Sequence, residues 1–284
     1  MNNLIKLGRL NYAVGMAGLG LQHFYFPGFR PVFVPSWPVG MPDPQVVIYL
    51  SGFYLIVSSL FIIFNFGARK TSILLGSVLL LLFILSHVPY LIANNTTSLG
   101  GWTDAFKILA LSGGAFVIAG SLPVPNSRTG IKFFQSLEKL IPVGRIFFAV
   151  MLIIFGIDHF LYYQFVQTLV PSWIPFPLFW TYFAAIALIG AGVSFIFMIK
   201  LKLVAILTAI MLFTWFLILH IPRAIAMPEV ANGNELTSVF EALAFSGVAL
   251  VIAFTALPSV SYRLFKKNPS EHLNPDGFTE KERA

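Results

Sequence analysis

The stretch GRIFFAVMLIIFGIDHF, residues 144–160, is apolar from Ile146 to Ile157, with Arg145 at one end and Asp158-His159 at the other. A bilayer core is crossed by roughly 20 mostly apolar residues in a helix, and this segment with its neighbours fits that length. A near copy, GRLNYAVGMAGLGLQHF, occupies residues 8–24. The likeness continues past both histidines: HFLYYQFVQTLVPSW (159–173) follows the second copy and HFYFPGFRPVFVPSW (23–37) the first. Further along, LSHVPYLIA (85–93) matches LHIPRAIA (219–226), and WTDAFKILALSGGAFVIAG (102–120) matches LTSVFEALAFSGVALVIAF (236–254). The chain is therefore written twice.

Composition supports a membrane reading. Hydrophobic residues make up 57% of the 284, charged residues 10%, and mean hydropathy is +0.84, whereas soluble domains carry about 25% charged residues. Cysteine is absent, which excludes disulfides, thiolate metal sites and dithiol redox chemistry. Eight apolar segments are expected to span: about 8–26, 45–66, 71–93, 103–122, 143–163, 177–198, 203–224 and 236–257. Helices are the natural form, since lipid leaves every backbone polar group to be satisfied internally, and the segments lack the period-two alternation of barrel strands. The first segment resembles a leader in having Lys6 and Arg9 before an apolar run. It lacks a small-residue cleavage site, and its copy at 143–163 is internal, so it reads as retained.

The fold class expected is all-α: a polytopic membrane protein of eight transmembrane helices, in two parallel four-helix bundle repeats. The first repeat covers 1–122, a cytoplasmic linker 123–142, the second repeat 143–262, and a disordered cytoplasmic tail 263–284. Each repeat has an even number of helices, so both take the same orientation, about a pseudo-twofold axis along the membrane normal. With the N-terminus in the cytoplasm, all eighteen Lys and Arg except Arg30, Lys107 and Arg223 fall on the cytoplasmic side. That bias places both termini in the cytoplasm. It also explains the net charge of +7 without nucleic acid; membrane lipid is the expected partner.

Four of the five histidines fall at repeat-equivalent positions: His23 with His159, and His87 with His220. Histidine within a span faces the bundle interior or water. The surroundings have diverged. Gln22 corresponds to Asp158, Tyr90 to Arg223, and Lys107 to Glu241. The second repeat thus holds His159, His220, Asp158, Arg223 and Glu241, and is the better candidate for a working site. Asp158 is expected to pair with Arg223. Lys107 and Glu241 are expected to meet across the pseudo-axis if their helices line it. His23, His87 and Trp173 are candidate cofactor contacts.

Several chemistries compete for these residues. The bland one is structural: Pro89 and Pro222 free the carbonyls of Leu85 and Ile218, and the preceding histidines support the kinks. Bis-histidine haem ligation and a metal site built from His159, His220 and Asp158 or Glu241 are two others; no short metal signature is present. A quinone site is favoured, because imidazole hydrogen-bonds and exchanges protons with a ring carbonyl near neutral pH. In it His159 and His220 bond or relay protons, Asp158 and Arg223 orient them, and Glu241 leads to outer water. Trp37 and Trp173 read as interface anchors or as a lid. Thr103 and Thr237 read as helix N-caps, Ser112-Gly113 and Ser246-Gly247 as close-packing residues, and Arg9 and Arg145 as anchors of helix starts.

GxxHF, VPSWIP, HIPR and NELTSVFEALAFSG, in that order along residues 156–247, resemble the DoxX-like membrane proteins of bacteria. The resemblance covers roughly 8–257 and is stronger in the second repeat, since the first has Tyr90 and Lys107 where the pattern has Arg and Glu. It implies a doubled four-helix unit. The family takes its name from a membrane subunit of a thiosulfate:quinone oxidoreductase, so it also implies a quinone-linked membrane redox system with a redox partner protein. The alternatives are a small-solute transporter or channel, which requires a water-filled path to the cytoplasmic face, and an assembly partner whose polar residues satisfy one another with no cavity left over.

Overall fold

The computed structural model describes residues 2–26, 28–37, 40–124 and 132–255. The expected tail and the end of the second repeat lie outside them, as does the middle of the linker. All regular structure among the described residues is helical. Eight long helices follow in order: α1 (Asn2–Tyr25), α2 (Gln45–Ile63), α3 (Ala68–Ala93), α4 (Thr103–Gly120), α5 (Gly144–Leu161), α6 (Pro177–Phe197), α7 (Leu201–Ala226) and α8 (Asn234–Thr255). Seven of the eight regions are long and apolar enough to cross a membrane; α1 is the exception among the described residues. Lys6, Arg9, Asn11, Gln22 and His23 lower its hydropathy. At about 1.5 Å per residue its 24 residues are nevertheless as long as a bilayer core is thick. It lies antiparallel to α8 along that length: Gly8 faces Gly247, Gly15 faces Ala244, and Gln22 reaches Thr237.

Successive helices pack side by side from α1 to α8, and α8 closes back on α1. Across this ring, α4 also touches α8. These two are the core helices: 67% and 72% of their apolar windows are buried, against 22% to 44% in the other candidate spans. Lipid is as apolar as leucine, so close packing must hold helices together. Glycine supplies it where backbones meet. A methyl group on Gly8 would stand 2.7 Å from the Gly247 carbonyl oxygen, and one on Gly144 2.5 Å from that of Gly113. Ser112 adds a hydrogen bond, its Oγ donating to the Gly76 carbonyl at 2.7 Å. The small-residue reading of 112–113 and 246–247 holds.

At one end of the bundle, basic side chains tie helices to the last turn of α4. Arg9 Nε donates to Ser121 Oγ at 2.8 Å. Arg69 donates to the carbonyls of Ala119 and Leu122 and pairs with Glu138 at 3.0 Å, on a short helix, Lys132–Glu138, in the linker. The four histidines lie toward the opposite end. Both α3 and α7 carry a π-helical turn there, Phe83–His87 and Phe216–His220. Val88 N–H donates to Phe83 O and Ile221 N–H to Phe216 O, bonds one residue wider than α-helical. The strain of Pro89 and Pro222 is thus taken up just before each proline, and such turns widen a helix enough to re-aim a side chain.

Candidate functional site

The histidine end holds two distinct polar assemblies. The first is a buried charge cluster between α4, α7 and α8. Lys107 of α4 pairs with Glu241 of α8 at 3.1 Å and with Asp104, one turn earlier, at 3.3 Å. The expected pairing across the central helices is therefore present. Glu241 is 3% exposed, too enclosed for the expected route to outer water, and its second oxygen finds no hydrogen-bond partner among the described residues. Arg223 of α7 makes a two-pronged ion pair with Glu235 at the start of α8, with Nε–Oε2 at 2.9 Å and Nη2–Oε1 at 2.6 Å. The expected partner was Asp158. Glu235 wins because it begins the helix that packs on Arg223's own. His220 has Lys107, Glu235 and Arg223 as its charged neighbours, and its buried Nδ1 has no partner among the described residues.

The second assembly is a recess of about 330 Å³ lined by Gly100, Thr103, Phe155, Asp158, His159, Tyr162, Phe165 and Val166. It opens between the last turns of α5 and the start of α4. His159 Nδ1 donates to the Phe155 carbonyl at 2.7 Å, and its ring stacks on Trp215 with centroids 6.2 Å apart and planes 17° apart. Tyr162 reaches over the rim, where its hydroxyl oxygen accepts the Gly100 N–H at 3.0 Å. Asp158 Oδ1 is buried and has no hydrogen-bond partner among the described residues. A buried carboxylate oxygen without a donor costs several kcal/mol, on the order of 1–3 even for neutral groups, so a bonding group belongs beside it.

The repeat-equivalent place in the first half is closed. Gln22, the counterpart of Asp158, donates to the Gly233 carbonyl at 3.2 Å and accepts from Thr237 at 3.1 Å. Phe33 packs on the His23 ring with centroids 5.5 Å apart, and His87 Nε2 bonds the Val32 carbonyl at 3.1 Å. The loop after α1 thus folds into the bundle end, with Arg30, Val32 and Phe33 buried. Arg30 donates to the Asn232 carbonyl and lies over the Phe26 ring. After α5 the matching residues form short helical turns, Tyr163–Val166 and Gln167–Leu169, and the first of them lines the recess through Phe165 and Val166.

Other expectations change in detail. Neither threonine caps its helix: Thr103 Oγ1 donates back to Gly100 O at 2.7 Å, and Thr237 bonds Gln22. Trp173 is 70% exposed and is not among the recess-lining residues. No group of three or more His, Asp or Glu placed to hold a metal occurs among the described residues. Asp104, Glu235, Tyr162 and Trp215 were not singled out from sequence. Asp104 was findable, since it precedes Lys107 by three on one helix face; the others depend on how loops and neighbouring helices return. No family model, curated protein or solved structure matches the chain.

Proposed function

We propose that this chain is a DoxX-like protein of the bacterial inner membrane that binds a quinone-type ring in the Asp158 recess as part of a redox system. The observation that carries the reading is the recess itself: its walls combine aromatic and aliphatic surface with a buried carboxylate oxygen that has no partner among the described residues. Sites of about 300 Å³ with apolar walls and few polar groups are typical of small-ligand pockets. The cavity of about 330 Å³ is the size for a substituted six-membered ring, and its opening at the helix ends suits a ligand arriving from lipid. His159 and Asp158 are the polar contacts. The Lys107–Glu241 and Arg223–Glu235 pairs hold α4, α7 and α8 in register behind the recess. Electrons pass to or from a separate redox protein.

In this reading α1 is the eighth span. The ring of helices is two four-helix repeats related by a pseudo-twofold axis near the α4–α8 contact. The matching glycine contacts, Gly8–Gly247 and Gly144–Gly113, support that symmetry. Both termini and the linker are cytoplasmic, and the recess faces the opposite side. A pure assembly role requires all polar groups to be mutually satisfied, which Asp158 opposes. A channel requires a polar path, and the middle of α4 and α8 is packed with Leu111, Ala115, Phe116, Ala244 and Val248, all buried.

The test is quinone content of the protein purified from bacterial membranes in mild detergent. Wild type is expected to retain quinone, while Asp158→Ala and the recess-filling Val166→Trp lose it with the fold intact. Equal retention by all three, or none by wild type, overturns the proposal.

A further inference from the structure

We infer that the Asp158 recess binds the hydroquinone in preference to the quinone; the inference rests on the quinone-site reading above. The geometry is an inventory of donors and acceptors. His159 Nδ1 gives its hydrogen to the Phe155 carbonyl at 2.7 Å, so the neutral ring, which lines the recess, keeps its lone pair at Nε2. Thr103 has spent its hydroxyl hydrogen on the Gly100 carbonyl at 2.7 Å, which leaves its oxygen as an acceptor. Asp158 Oδ1 is a buried acceptor with no donor among the described residues. The Gly100 N–H is consumed by the Tyr162 oxygen at 3.0 Å. Among the side chains of this wall in the described residues, the Tyr162 hydroxyl hydrogen is the one that remains to be given.

The wall therefore offers three acceptors against one donor. A quinone presents two carbonyl acceptors; Tyr162 can donate to one, and the other meets only acceptors at Asp158 and His159 and goes unpaired. A hydroquinone presents two O–H donors, which carboxylate and imidazole take up, and its oxygens still accept from Tyr162. Hydrogen bonds to a charged acceptor are stronger than neutral ones, and a mismatched buried polar pair is penalised rather than merely lost.

The test is anaerobic calorimetric titration of the full-length protein in nanodiscs with trimethylhydroquinone and with trimethyl-1,4-benzoquinone, which share ring and substituents. The hydroquinone is expected to bind at least about tenfold more tightly. Asp158→Asn, which replaces an acceptor-only group by one that also donates, is expected to erase or reverse that ratio. His159→Leu, a second variant that leaves the carboxylate in place, is expected to weaken hydroquinone binding and leave quinone binding unchanged, and undiminished hydroquinone binding in it overturns the inference. A wild-type preference below that, or one for the quinone, overturns the inference while leaving the quinone-site reading intact. Binding of neither probe overturns both. A ratio unchanged in folded Asp158→Asn also overturns the inference.

Discussion

Replacing Lys107 by methionine tests how the charge cluster holds the bundle. The Lys107 side chain is 13% exposed, that of Glu241 4%, and that of Asp104 38%. One ammonium thus serves two carboxylates, one enclosed and one half in contact with the surroundings. Lys107→Met strands Glu241 without its cation and leaves two acids facing each other. Breaking a buried pair from one side costs about 3–5 kcal/mol. For a chain of this size each kcal/mol moves Tm by about 2–4 °C, so a fall of roughly 6–20 °C is expected. Glu241→Gln differs: Lys107 keeps Asp104 at 3.3 Å, and the loss is one charge-assisted hydrogen bond, about 1.5–3 kcal/mol. The double variant Lys107→Met, Glu241→Leu removes both charges together and is expected to recover most of the stability. The assay is thermal unfolding of purified protein in one detergent, with wild type, Lys107→Met, Glu241→Leu and their double variant forming a double-mutant cycle. A fall below about 3 °C for Lys107→Met, or a double variant as unstable as the sum of the singles, would refute the buried-pair argument.

Helix contacts and topology give further tests. Gly144→Ala is expected to lower stability by about 1–3 kcal/mol, because its methyl would meet the Gly113 carbonyl at 2.5 Å, whereas Gly190→Ala, with nothing within 4 Å, is expected to be neutral or slightly stabilising; thermal unfolding reads both. Arg223→Ala is expected to cost about 1 kcal/mol after allowing for the partial exposure of its pair with Glu235, and a cycle should find coupling of Arg223 to Glu235 and none to Asp158. The chain has no cysteine, so single cysteines need no background removed: Asn95→Cys should react with an impermeant maleimide from outside intact cells and Lys200→Cys only after lysis, and the reverse would invert the proposed orientation.

Much of the architecture is legible in the sequence because the bilayer limits the choices. Apolar length locates the helices to within a few residues, and seven meet the spanning criterion. The exception, α1, falls short because polar residues such as Gln22 and His23 lower its mean hydropathy, and both are buried. The Lys107–Glu241 contact was legible from repeat alignment on the condition that the two helices meet at the bundle centre, and α4 and α8 do touch there. Arg223 was assigned to the wrong acid because alignment gives position along a helix and says nothing of how the loop at 227–233 delivers Glu235. The cap readings of Thr103 and Thr237 failed for a related reason. Each hydroxyl found a tertiary or preceding-turn partner that composition does not reveal.

The two copies of the sequence repeat differ in how a loop is used. After α1, the chain turns inward, and Phe33 and the Val32 carbonyl occupy His23 and His87. Arg30 fixes that turn through the Asn232 carbonyl of the loop before α8. At the equivalent place after α5 stands Val166, which has no charge to anchor, and the chain there forms short helical turns over the recess. Gln22 can both donate and accept, so Gly233 and Thr237 bond the two ends of its amide; Asp158 as a carboxylate can only accept, and its counterpart threonine, Thr103, has turned away to Gly100. One amide-to-acid difference and one loop that fails to fold inward are enough to convert a closed helix contact into a cavity with an unpaired oxygen. The asymmetry that matters for ligand binding therefore lies between Gln22 and Asp158 and between Arg30 and Val166, and the repeated histidines, although the more conspicuous feature, are common to both the closed and the open half.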